Sequence, residues 1–142
     1  MKHIAHRGNI HGPSKEENKP DYIRETLNSG YDVEVDVWYV NDGYFLGHDE
    51  PRYEVDEEFL LQDGLWLHSK NIDALGKLHK KTNTFFHNID DAVLTSLGYI
   101  WIFPNKQITH FSDKCVIVIQ NNSEYNIDQI KNCYAVCSDN IK

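Results

Sequence analysis

Hydrophobic and polar positions alternate strictly across residues 31–40. Val33, Val35 and Val37 point one way and Glu34, Asp36 and Trp38 the other, which is the period of a β-strand. Asn41-Asp42-Gly43 then signals a tight hairpin, with residues 44–46 returning as a second strand that ends at Gly47-His48-Asp49. Upstream, residues 2–5 read as a short strand ending at His6-Arg7-Gly8. Pro20 in a first helical turn, Asp21 at the positive end of the dipole and a face of Tyr22, Ile23, Thr26 and Leu27 predict a helix that Gly30 stops. Downstream, apolar runs at 65–68, 84–87, 99–103, 115–119 and 134–137 predict further strands. Ile72, Leu75 and Leu78 recur at helical spacing, Asn88 or Asp90 is placed to cap a helix over 91–97, and Ile127 with Ile130 mark a short helix.

Short apolar strands separated by helices imply a mainly parallel sheet. A full eight-unit barrel takes about 250 residues, and this chain has 142. The expected fold class is therefore α/β: a shortened or incomplete TIM-type (β/α) barrel of about seven mainly parallel strands, in one domain over residues 1–142. A doubly wound open sheet is the alternative. The net charge is -8 with lysines and arginines scattered, so no basic stripe points to nucleic acid. No signal peptide or membrane-spanning run is visible. The three cysteines are odd in number, and Cys115 lies in an apolar run. Free thiols in a reducing compartment, and hence a cytoplasmic location, are expected.

In parallel barrels the working face lies at the carboxyl ends of the strands. His6 and Arg7, Glu34 and Asp36, His68 and Lys70, and His87 all stand at or near such ends, so they are expected to converge on one rim. Two carboxylates with nearby imidazoles and an arginine are the groups that a metal-assisted attack on a phosphodiester needs: anionic ligands for a cation, a proton acceptor, a proton donor, and a positive charge for the phosphate. Bland readings compete with these. Glu34 and Asp36 could be the solvated side of an edge strand, Arg7 could merely pair with them, and His87 could be a hydrogen-bonded strand-end histidine.

The ordered set His6-Arg7-Gly8, Glu17-Asn18, Glu34-Val35-Asp36-Val37, Asp42-Gly43 and His48-Asp49 resembles the glycerophosphodiester phosphodiesterase family, within the phosphatidylinositol phospholipase C-like phosphodiesterases. Weaker echoes are Lys70, two residues after His68, and Ser138-Asp139. The chain also resembles a short uncharacterised branch of that superfamily, in stretches such as 65–71 and 94–101. The resemblance implies a metal-dependent hydrolase of glycerophosphodiesters or a related small phosphodiester. Glu34 and Asp36 would bind a divalent cation (Mg, Ca or Mn), His6 and His48 would do acid and base work, and Arg7 and Lys70 would hold phosphate. Glu17 and Asp49 would support the site. His68 stands where the family has a third acidic ligand, and an imidazole there shifts preference towards Mn or Zn. A catalytically degenerate protein that binds phosphodiesters or sugar phosphates is the alternative.

Overall fold

The structure is a computed structural model that describes the chain except residues 105–107, 109, 121–124, 126 and 142. The described residues form ten strands and four short helices. In chain order these are β1 (Lys2–His6), α1 (Pro20–Asn28), β2 (Asp32–Val40), β3 (Gly43–Leu46), β4 (Tyr53–Val55), α2 (Glu57–Leu60) and β5 (Leu65–Ser69). They continue with α3 (Ile72–Leu78), β6 (Thr84–Phe85), β7 (Ala92–Leu94), β8 (Ile100–Ile102), β9 (Cys115–Ile119), α4 (Ile127–Ile130) and β10 (Ala135–Ser138).

One sheet runs β4-β3-β2-β1-β10-β9-β8-β7, with β5 also on β2 and β6 beside β5. Val33 and Glu34 of β2 pair with both β1 and β5, so these two strands flank β2. The pairings of β1 with β2 and β10, β2 with β5, β5 with β6, and β9 with β8 and β10 are parallel. Those of β3 with β2 and β4, and of β7 with β8, are antiparallel.

The result is a mixed sheet curled into an open half-barrel, which corrects the expected TIM-type (β/α) barrel and with it the fold of the phospholipase C-like superfamily. The crossovers explain why. A barrel unit needs a helix long enough to clad each strand pair, whereas α2 and α4 are single turns of 4 residues and α3 has 7. The helix expected over 91–97 is not formed. Ala92, Val93 and Leu94 instead make a strand paired antiparallel with Ile102, Trp101 and Ile100. The doubly wound alternative fails as well, because among the described residues no helix packs on the concave face.

That concave face is filled by side chains. Ile4, Trp66, Phe85, Trp101, Phe103, Val116, Val118, Ala135 and Cys137 form one apolar cluster inside the curl. Trp66 lies within ring contact of Trp101 on β8 and of Tyr99 and Tyr134, which immediately precede β8 and β10. On the convex side, Val33, Val35 and Val37 pack with Ile23, Phe59, Leu60, Ala74 and Leu78 from α1 to α3. A second outer cluster joins Ile117 and Val136 to Ile130 of α4 and to Cys115 and Cys133. All three cysteines are buried free thiols. Among the described residues no helix is long and apolar enough to cross a membrane.

β2 is thus a central strand covered on both faces, not an edge strand with a solvated side. Its alternation separates two interiors: valines against the helices, and carboxylates in the curl.

Candidate metal and phosphodiester site

Parallel register builds the site. His6 is the rung partner of Glu34, and Asp36 that of His68, so four polar side chains meet on the concave face, from the carboxyl ends of β1 and β5 and from the first half and middle of the longer β2, which corrects the expected strand-end position of Glu34 and Asp36. Glu34 is 2% and Asp36 1% exposed. Glu34, Asp36 and His68 each present one ligand atom within a 4.8 Å cluster. His68 Nδ1 lies 3.3 Å from Asp36 Oδ1 and 3.9 Å from Glu34 Oε1, and its ring stacks on Phe85.

Burying two carboxylates side by side is costly unless each finds partners. Burial first, and then the Asp36 charge, pushes the Glu34 carboxyl up to about 7. Burial would raise Asp36 too, but His68, Arg7 and Asn18 outweigh it and hold its carboxyl down at about 2. Asn18 acts as a clamp: its Nδ2 donates to Asp36 Oδ2 at 2.9 Å, and its Oδ1 accepts from the Asp36 backbone N–H at 3.0 Å. Arg7 places Nε 3.3 Å from Asp36 Oδ2 and one terminal nitrogen 3.1 Å from Glu17 Oε2.

Arg7 is in the left-handed region (φ 54), and the next residue, Gly8, has φ 91. A Cβ on Gly8 would come within 3.0 Å of Ile23 Cδ1, so glycine lets the turn after β1 press onto α1. That turn lets the Arg7 N–H donate to the Glu34 backbone carbonyl at 2.9 Å and brings Asn18 back, its N–H donating to the Arg7 carbonyl at 3.1 Å.

His6 has a second partner. Its Nδ1 donates to Asp139 Oδ1 at 2.8 Å, leaving Nε2 directed at Glu34 Oε2 at 3.7 Å. Burial works against the charged ring, but Asp139 and Glu34 prevail and raise the His6 pKa. For His68 burial wins, and its pKa is lowered. The fully buried Asn9 ties Asp139 to the loop, donating to Asp139 Oδ1 at 2.8 Å and to Glu17 Oε1 at 3.0 Å.

A cavity of about 300 Å³ opens over this cluster, walled by His6, Arg7, Glu34, Asp36, His48 and His68 on one side. Trp101, Phe103, Val118 and His87, the last stacked on Phe103, form the other side. His48 reaches it from the turn after β3, 45% exposed, with Nδ1 donating to Asp49 at 2.7 Å. Lys70 flanks it with Nζ 4.0 Å from Asp36 Oδ1.

The residues expected at the site therefore divide. Glu34, Asp36, His6, Arg7, His68 and His48 share one cavity, and Lys70 borders the cluster. Glu17 braces Arg7 and Asn9 and is not part of the Glu34, Asp36 and His68 cluster, and Asp49 contacts His48 alone among these residues. Asn9 carried no sequence signal. Asp139 had only the faint one of an acidic residue ending the last strand, and Asn18 only its place in Glu17-Asn18.

Compared with models of known families and with curated proteins, the sequence matches none. The chemistry of the site thus rests on its own geometry.

Proposed function

We propose that this protein is a metal-dependent hydrolase of small phosphodiesters, of the glycerophosphodiester type or close to it. One observation carries the reading: a buried Glu34, Asp36 and His68 cluster shares a cavity with an Asp139-paired imidazole, a second imidazole and an arginine. Two carboxylates and an imidazole suit Mn or Zn, while an all-oxygen shell would favour Mg or Ca. When bound, a divalent cation supplies Lewis acidity to the phosphoryl oxygens.

The chain's own groups supply the rest. Arg7 and Lys70 bring positive charge to the phosphate. Asp139 holds His6 with its Nδ1 proton fixed, so Nε2 is the basic atom. A hydroxyl oxygen, from water or from a neighbouring alcohol of the substrate, bonds to phosphorus as its proton passes to His6. The ester P–O bond breaks, and the departing alkoxide takes a proton from His48. The Trp101, Phe103 and Val118 wall keeps that side of the cavity dry and strengthens these interactions.

The test is hydrolysis of bis(nitrophenyl) phosphate with Mn before and after a chelator. Turnover that chelator abolishes and Mn restores is expected. Metal-independent turnover, or none with any divalent cation, overturns the reading. Tight phosphodiester binding without product would establish the binding-protein alternative, which the prior engagement of Arg7 by Glu17 and Asp36 favours.

A further inference from the structure

A second cavity, of about 250 Å³, adjoins the first, and the two share Arg7 and His48. It lies between the loop before α1 and the turn that joins β3 to β4. Where the first cavity ends in an aromatic wall, this one is lined mainly by Ser14, Lys15, Glu17, Asp49, Glu50 and Arg52, and the ring of Tyr53, which also lines it, is already taken by the Arg52 guanidinium 5.4 Å from its centre. His48 stands on the border. If His48 protonates the departing oxygen, the bond that breaks points into this second space.

The lining discriminates among alcohols. A quaternary ammonium group would meet Arg7, Lys15 and Arg52. A second anionic group would meet Glu17, Asp49 and Glu50. An acyl chain would desolvate charges of both signs without replacing their hydrogen bonds. Hydroxyl groups both donate and accept, and so satisfy such a lining. Donors are at hand: Lys15 makes no ion pair among the described residues, and Arg52 lies 3.9 Å from Glu50 on an exposed turn.

We infer that the cavity bounded by Lys15, Glu50, Arg52 and His48 is the subsite for the departing alcohol, and that this alcohol is a neutral polyol or sugar. The inference rests on the phosphodiesterase reading of the adjoining site.

The test measures alcohol release, with Mn, from glycerol phosphodiesters of inositol, choline and methanol. The inositol diester should have a kcat/KM about tenfold or more above the other two, since hydrogen bonds to charged groups are each worth roughly that factor. Lys15→Ala and Arg52→Ala should each lower the inositol-to-methanol ratio of kcat/KM by about tenfold. Equal kcat/KM on all three diesters, a preference for choline, or an inositol ratio that neither variant moves overturns the subsite and leaves the phosphodiesterase reading standing. Turnover of none of the three overturns both.

Discussion

Glu34 is the residue whose cost is most exposed to experiment. Its carboxyl sits near 7 in the folded chain against 4.5 when unperturbed, so the native state holds a proton that the unfolded chain has released. Its contribution to stability is fully present below about pH 4.5 and is lost as pH rises through about 7, a loss on the order of a few kcal/mol. The metal-free parent should accordingly lose ground to Glu34→Gln between those values, and the gap should level off above them. Denaturant titrations of both proteins across pH measure this, and a gap independent of pH would mean that Glu34 is not strained. The imidazoles are read by kinetics. His6→Ala and His48→Ala should each lower turnover by about 10²- to 10⁴-fold, the usual worth of general acid or base catalysis. A nitrophenyl leaving group should rescue His48→Ala and not His6→Ala, because only the departing oxygen's need for a proton has been relieved. Rescue of both, or of His6→Ala alone, contradicts the assigned roles.

At the scale of elements, the turn from β3 to β4 carries His48 and depends on Gly47. The Gly47 N–H donates to the Asp36 carbonyl at 3.1 Å and its own carbonyl accepts from Trp38 Nε1 at 2.7 Å. A Cβ there would overlap the Glu50 carbonyl oxygen, which is backbone and has no flexible end to yield. Gly47→Ala should therefore destabilise the fold by about 2–3 kcal/mol and, by moving His48, reduce kcat more than it raises KM. Thermal melting together with steady-state kinetics checks both parts. A variant with parental melting and kcat would show that the turn relaxes freely. Asn71 does comparable work on the other side of β2, where its side chain brackets the Tyr39 backbone and caps α3 through the Ala74 N–H.

For the molecule as a whole, the site is a place where folding stability was given up. Two buried carboxylates on the central strand repel each other, and anything that neutralises them selectively in the native state stabilises the fold by mass action. Melting temperature should rise with Mn, by an amount equivalent to about 2.7 kcal/mol when the ion is at 100 times its Kd. Glu34→Gln combined with Asp36→Asn should abolish that rise; Glu34→Gln alone should melt at or above the metal-free parent at neutral pH, whereas Asp36→Asn also gives up the pairing with Arg7, His68 and Asn18. A double variant that still responds to Mn as the parent does would place the ion elsewhere.

What the sequence determined by itself was local. Side-chain alternation has a period of two, so residues 31–40 announced a strand whose valines and carboxylates face opposite ways. Asn41 and Asp42 both adopt the positive φ of the tight hairpin their identities predict. Strand-end positions likewise held for His6 and His68, while Glu34 and Asp36 lie inside β2 and join them through the parallel register. Tertiary structure decided everything that depends on which strands become neighbours. Asn88 and Asp90 read as helix caps, yet three rungs with Ile100–Ile102 draw Ala92–Leu94 into the sheet, because pairing an open edge outweighs weak local propensity. Short crossovers, not the strand pattern, left the sheet as an open half-barrel. The His6–Asp139 pair joins residues 133 positions apart, and the Asn18 clamp works only because Arg7 turns left-handed after β1. Such contacts leave no periodic trace in the sequence, since they are made by the packing of whole elements and not by the preferences of the residues beside them.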